Sequence, residues 1–122
     1  MSSEDNKTLV RRLIEEVWNT SNYTQLEALA APSFAESTKK LNQSVRLAFP
    51  DHSNTIDDII AEGDKVVARW TLHGTHQGDV ESPLGRIPPT GKQVAFSGMH
   101  IFRIADGKIV ERWAEADMLG LL

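Results

Sequence analysis

The chain is 122 residues long, with a formal net charge of −4, 40% hydrophobic and 25% charged residues. That length suits one compact domain over residues 1–122, and that composition lies far from the regime of disorder, so a packed core is expected. Nothing concentrates Lys and Arg, cysteine is absent, and no apolar run nears the roughly 18 residues that span a bilayer; nucleic acid, disulfides, thiol chemistry and a membrane are therefore not expected.

The opening stretch "MSSEDNKTLV" is polar and acidic rather than basic and then apolar, which points to the cytoplasm. From Asp5 to about Trp18, Leu9, Val10, Leu13, Ile14, Val17 and Trp18 recur at spacings of three and four, one face of an amphipathic helix. A second, shorter helix is expected at "TQLE", with Thr24 capping its first turn and Glu27 reaching back, and with Pro32 as its stop. "SFAESTKKLNQSVRLAFP" places Leu41, Val45, Ala48 and Phe49 at helical spacing and ends at Pro50.

Beyond Pro50 the period changes to two. "TIDDIIAEGDKVVARWTLHG" reads as two strands joined at Gly63-Asp64, and "KQVAFSGMHIFRIADGKIVERWAEADM" as two more turning at Asp106-Gly107. Between them "DVESPLGRIPPTG", with three prolines and two glycines, is expected to be a long loop. Helices first and antiparallel strands afterwards imply an α+β fold, one curved sheet with three helices on a single face. The hollow of such a sheet is a natural small-molecule pocket.

"ERWAEADM" contains a conflict. On a strand Glu111, Trp113, Glu115 and Asp117 share one face, and Arg112, Ala114 and Ala116 the other. An indole beside three carboxylates fits neither open solvent nor a sealed core; a partly apolar pocket that needs an acid accommodates both. Glu111 and Glu115 are then expected where that face meets water or a basic neighbour, with Arg69 and Arg103 as partners.

Phe49-Pro50-Asp51, the run Gly74-Thr75-His76-x-Gly78, Pro89-Thr90-Gly91 and Glu111-x-Trp113-x-x-x-Asp117 together resemble the SnoaL-like polyketide cyclases (ester cyclases) of the nuclear-transport-factor-2-like superfamily. The likeness is strong over roughly residues 45–122 and holds only in outline for the helical first third. It implies a cone-shaped α+β barrel, commonly a homodimer, with its pocket between the concave sheet and the helices. It also implies general acid–base catalysis of an aldol ring closure on a polyketide ester, without metal or other cofactor, and Asp117 matches the family's acid–base aspartate. Many members carry a histidine after the second helix, where this chain reads Phe34-Ala35-Glu36-Ser37.

The residues therefore carry these expectations. Asp117 either sits in a dry pocket, where desolvation would make it a stronger base, or is an exposed acid near the C-terminus or the cap of a last turn at "MLGLL". Trp113, on the same strand face, is a core anchor or a pocket wall, inward in both cases, and a bulge near Ala114 would draw the two together. His100 is either a satisfied, partly buried side chain or a donor to the substrate carbonyl as an enolate develops. His76 orders the turn into the long loop or lines the pocket; Trp70, Phe96 and Met99 line the cavity or pack the core. His73 and His76, three apart, face opposite ways on a strand, so no metal site is expected. The competing readings are non-catalytic binding of a small hydrophobic ligand, and an isomerase or hydrolase using the same pocket.

Overall fold

The computed structural model describes residues 2–82 and 85–117, the side chains of Glu81 and Ser82 excepted. Helix α1 (Ser3–Arg12) begins two residues earlier than the apolar spacing suggests, because Ser2 and Asp5 form a reciprocal capping box. It runs directly into a π-helical turn, Leu13–Trp18, closed by the Asn19 N–H on the Ile14 carbonyl. Such turns recur at functional sites.

Helix α2 is a single turn, Leu26–Leu29, and the expected Thr24 capping box is absent. Gln25 occupies the cap position without a side-chain hydrogen bond, and the Thr24 amide instead donates to Asn22 Oδ1. Pro32 opens the long helix α3 (Pro32–Ala48) at its first position, where a missing N–H costs nothing.

The sheet comprises β1 (Ser53–Glu62), β2 (Lys65–Thr75), β5 (Gln93–Ala105) and β6 (Lys108–Ala116), antiparallel in the order β1-β2-β5-β6. Both expected turns are present: Gly63 takes φ 60, and Asp106 and Gly107 take φ 52 and 74, the left-handed pair of a type I′ hairpin. The segment expected to be a loop throughout holds a separate two-stranded ribbon, β3 (Val80–Ser82) with β4 (Gly85–Ile87). Its strands are too short to register as a period-two pattern.

Alternation along β2 and β5 sends Val66, Ala68, Trp70 and Leu72, with Phe96, His100, Phe102 and Ile104, toward the helices, where all are buried. Two clusters form there. The larger packs Leu9, Val10, Leu13, Ile14 and Val17 against Val66, Phe102 and Ile109; the smaller joins Ala48 and Phe49 to Trp70, Leu72, Val80 and Phe96.

Strand β6 changes face midway. Ile104 pairs with Ile109 but Arg103 with Glu111, leaving Val110 as a bulge. Simple alternation from the buried Ile109 would turn Trp113 inward; the extra residue turns Arg112, Ala114 and Ala116 inward instead. No bulge interrupts the pairing around Ala114. Among the described residues, no helix is long and apolar enough to cross a membrane.

Candidate functional site

A cavity of about 540 Å³ lies between the C-terminal half of α3 and the inner face of β2, β5 and β6. Leu41, Val45 and Ala48 form the helical wall; Trp70, Leu72 and Phe96 form the sheet wall; Ala114 and Ala116 leave the β6 side unfilled. Trp18, at the end of the π-helical turn, adds an aromatic surface 5.1 Å from the His100 ring, and His100 in turn stacks at 5.4 Å on Phe102.

His100 is 4% exposed. The Trp70 Nε1–H donates to its Nδ1 at 2.6 Å, so the neutral ring carries its proton on Nε2. Burial, and secondly the Arg112 guanidinium, push the His100 pKa down to about 3, which keeps the ring neutral at physiological pH. Gly98 makes this contact possible: a Cβ there would stand 2.5 Å from Trp70 Cζ2 and 2.7 Å from the Glu115 carbonyl.

Arg112 is half-buried in the cavity wall, with Nη1 3.5 Å from His100 Nε2. Since Nε2 already holds a proton, neither group can accept from the other, and both offer donors to the same volume. Burial lowers the Arg112 pKa, and among the described residues no carboxylate pairs with it.

The other buried polar groups of the cavity wall are engaged. Asn42 donates to the Trp18 carbonyl at 2.9 Å and accepts from the Tyr23 hydroxyl at 2.7 Å. His52 Nε2 lies 3.0 Å from the same carbonyl, and burial followed by Arg46 lowers its pKa.

The expected site residues divide sharply. Trp70, Phe96 and His100 line the cavity together. Trp113 does not: it stands 47% exposed on the outer face, because the Val110 bulge inverts β6. Met99 is 50% exposed on that same outer face, by plain alternation from His100. His76 is fully buried yet outside the cavity wall; its ring lies 5.5 Å from Phe49 and its Nδ1 3.3 Å from Thr90 Oγ1.

Asp117 follows the wall residue Ala116, donates its N–H to the Ser97 carbonyl, and is exposed. It does not line the cavity, so the dry setting expected of it is not met. Asp79, which sequence reasoning passed over, is the carboxylate among the described wall residues; its Oδ2 lies 3.8 Å from Arg86 Nη1. Arg112 was passed over as well, although "RWAEA" carried a signal: an arginine followed on its own face by two alanines cannot fill a core.

The expected partner of Glu111 is present, Arg103 Nε standing 2.6 Å from its Oε1 at the surface. Phe34 and Ala35 belong to the core cluster. Among the described residues, no three His, Asp or Glu side chains gather closely enough to hold a metal ion.

The sequence matches the SnoaL-like polyketide cyclase family over residues 8–122. The chain belongs to that family. Among solved structures, TsrD from Streptomyces laurentii is similar at 27% identity and a TM-score of 0.86, over 99% of this chain and 94% of that one. AclR, a candidate hydroxylase from Streptomyces galilaeus, is similar at 29% identity and 0.81, over 98% and 80%. IdmH, a candidate polyketide cyclase from Streptomyces antibioticus, is similar at 26% identity and 0.77, over 94% of each chain. No curated protein matches.

The SnoaL-like motifs converge on one place. Asp51 accepts from the Thr75 N–H and hydroxyl, both at 2.7 Å; Gly78 N–H donates to the Ala48 carbonyl; Gly91 N–H donates to the His76 carbonyl. Phe49-Pro50-Asp51, Gly74-Thr75-His76-x-Gly78 and Pro89-Thr90-Gly91 therefore tie the end of α3 to the end of β2 around the buried His76 ring. That fixes one end of the cavity and supplies no reacting group.

Proposed function

We propose that this SnoaL-like protein catalyses an acid–base ring closure of polyketide cyclase type on a small molecule held in the cavity. Asp117, exposed beside the wall residue Ala116, removes a proton from a carbon between two carbonyls where the ligand reaches out of the cavity, the His100 Nε2–H steadies the enolate oxygen, the carbanion attacks a second carbonyl to close the ring, and the protonated Asp117 returns its proton to the alkoxide so formed. No cofactor is called for, because side chains handle both the proton and the charge. The supporting observation is the neutral, tautomer-fixed His100 in an apolar, ring-sized cavity, since donors already aimed at a developing oxyanion need no reorganisation during reaction.

General acid–base help is worth typically about 10²–10⁴-fold, sufficient for a C–H already acidified by neighbouring carbonyls. A panel of polyketide-like 1,3-dicarbonyl esters, enones and epoxides, assayed with the wild type, Asp117→Asn and Asp79→Asn, tests the assignment. Loss of kcat by about 10²-fold or more in Asp117→Asn alone supports it. Loss in Asp79→Asn alone would transfer the proton to Asp79. Absence of turnover across the panel in the wild type favours non-catalytic binding of a hydrophobic ligand, the reading that the exposure of Asp117 supports.

We further propose a homodimer built on the outer face of the sheet. Ile60, Val67, Ile101 and Trp113 pair in register across all four strands and form an apolar row, with Met99 beside it; Ile60, Met99, Ile101 and Trp113 are exposed. An apolar row of that kind on a soluble surface marks an association face. Trp113 thus serves contact between copies rather than the cavity.

A further inference from the structure

Arg112 is a permanent charge in the wall of a hollow, and among the described residues no carboxylate pairs with it. Asn42 spends its amide on Trp18 and Tyr23, the His52 ring lies between the Trp18 and Phe49 carbonyls, Asp79 leans toward Arg86, and Ala114 and Ala116 present only methyl groups. A half-buried guanidinium is only partly hydrated, and with no counter-ion among the described residues it is stabilised when a bound group supplies the negative charge. Beside it His100 Nε2–H, its tautomer fixed by Trp70, offers a second donor 3.5 Å from Arg112 Nη1.

We propose that the ligand of this cavity carries a free carboxylate on an otherwise apolar body, held by the Arg112 guanidinium. The fork of a guanidinium matches the two oxygens of a carboxylate, and charge-assisted bonds of this kind are among the stronger ones. A neutral ester would cover the half-buried Arg112 without offering it a negative charge. An enolate exists only transiently and is served by the neutral His100 donor, whereas a standing charge in the resting protein calls for a standing charge in the ground-state ligand. The substrate is then an acid rather than its ester, and reactions that supply it must leave that carboxyl unprotected.

This inference rests on the cavity being the ligand site of the proposed function, but its test reads binding rather than turnover. Calorimetric titration of the wild type with 2-naphthoate and with methyl 2-naphthoate compares charge on one shared ring system. The acid is expected to bind about 10–100-fold more tightly than the ester. Arg112→Met, which keeps the stem length and apolar bulk, is expected to abolish that preference by weakening the acid far more than the ester; Arg112→Lys, a point charge without the fork, is expected to retain part of it. Equal affinity for acid and ester in the wild type, a preference that survives Arg112→Met, or failure of both probes to bind would each overturn the proposal. Should neutral esters turn over with no preference for acids, the cyclase reading stands and the carboxylate reading falls.

Discussion

Trp70 and His100, on neighbouring strands, are joined by a 2.6 Å hydrogen bond from indole Nε1 to imidazole Nδ1. The bond decides which histidine nitrogen faces the cavity with a proton, and therefore which chemistry that nitrogen can do. Trp70→Phe keeps most of the ring and deletes the donor, leaving His100 Nδ1 buried and unsatisfied. Expected outcomes are a stability loss of about 1–3 kcal/mol in urea unfolding and a mixed His100 tautomer in ¹⁵N NMR spectra. An unchanged, single Nε2–H tautomer would show that the bond does not set it.

Gly98 is where that contact is most easily broken. A methyl group there meets both the Trp70 ring and the Glu115 carbonyl, and the carbonyl belongs to the β5–β6 pairing and has little freedom to retreat. Gly98→Ala is expected to cost about 1–3 kcal/mol, the range of overpacked sites, with altered Trp70 fluorescence. A wild-type urea midpoint would mean that the sheet yields there at no cost.

The pH dependence follows from the direction of the histidine shifts. His100, ordinarily titrating near 6.5, is pushed down to about 3 by burial and then by Arg112. Between those values the unfolded chain binds a proton that the folded chain refuses, so stability is complete above about pH 6.5 and falls as pH drops, by at most about 1.4 kcal/mol per pH unit. His52, also lowered by burial, acts with the same sign. Urea midpoints taken from about pH 7 to about pH 5, above most carboxylate titration, should decline; His100→Gln should decline less steeply. Parallel declines would mean that His100 does not carry the effect.

His76 holds three chain segments together without touching the cavity. Removal of its fully buried ring from between Phe49 and Thr90, as His76→Ala, is expected to cost about 2–4 kcal/mol. Because the residue contributes no reacting group, any activity at temperatures where the variant remains folded should keep a wild-type KM. A large loss of kcat in the folded variant would give His76 a chemical part that its position does not suggest.

The outer apolar row predicts its own disruption. Ile101 stands at the middle of the Val67–Ile101–Trp113 pairing, and Ile101→Lys places a charge where a second copy would pack. Analytical ultracentrifugation is expected to show a dimer for the wild type and a monomer for the variant, with near-UV circular dichroism of the cavity aromatics retained. A monomeric wild type would remove the proposal.

Sequence by itself determined the helix-then-strand order, the turns at Gly63-Asp64 and Asp106-Gly107, and the inward set Trp70, Phe96 and His100, because period and turn chemistry are local properties. It also carried the family, through motifs that fix the end of α3 to β2. Only the tertiary structure decided what β6 shows to the cavity. One bulge at Val110, set by pairing with β5, reverses the side chains of the paired residues from Glu111 to Ala116, sending Trp113 out and Arg112 in. Whether a charge is spent or left facing a hollow depends on neighbours distant in the chain, and no spacing along a strand contains that.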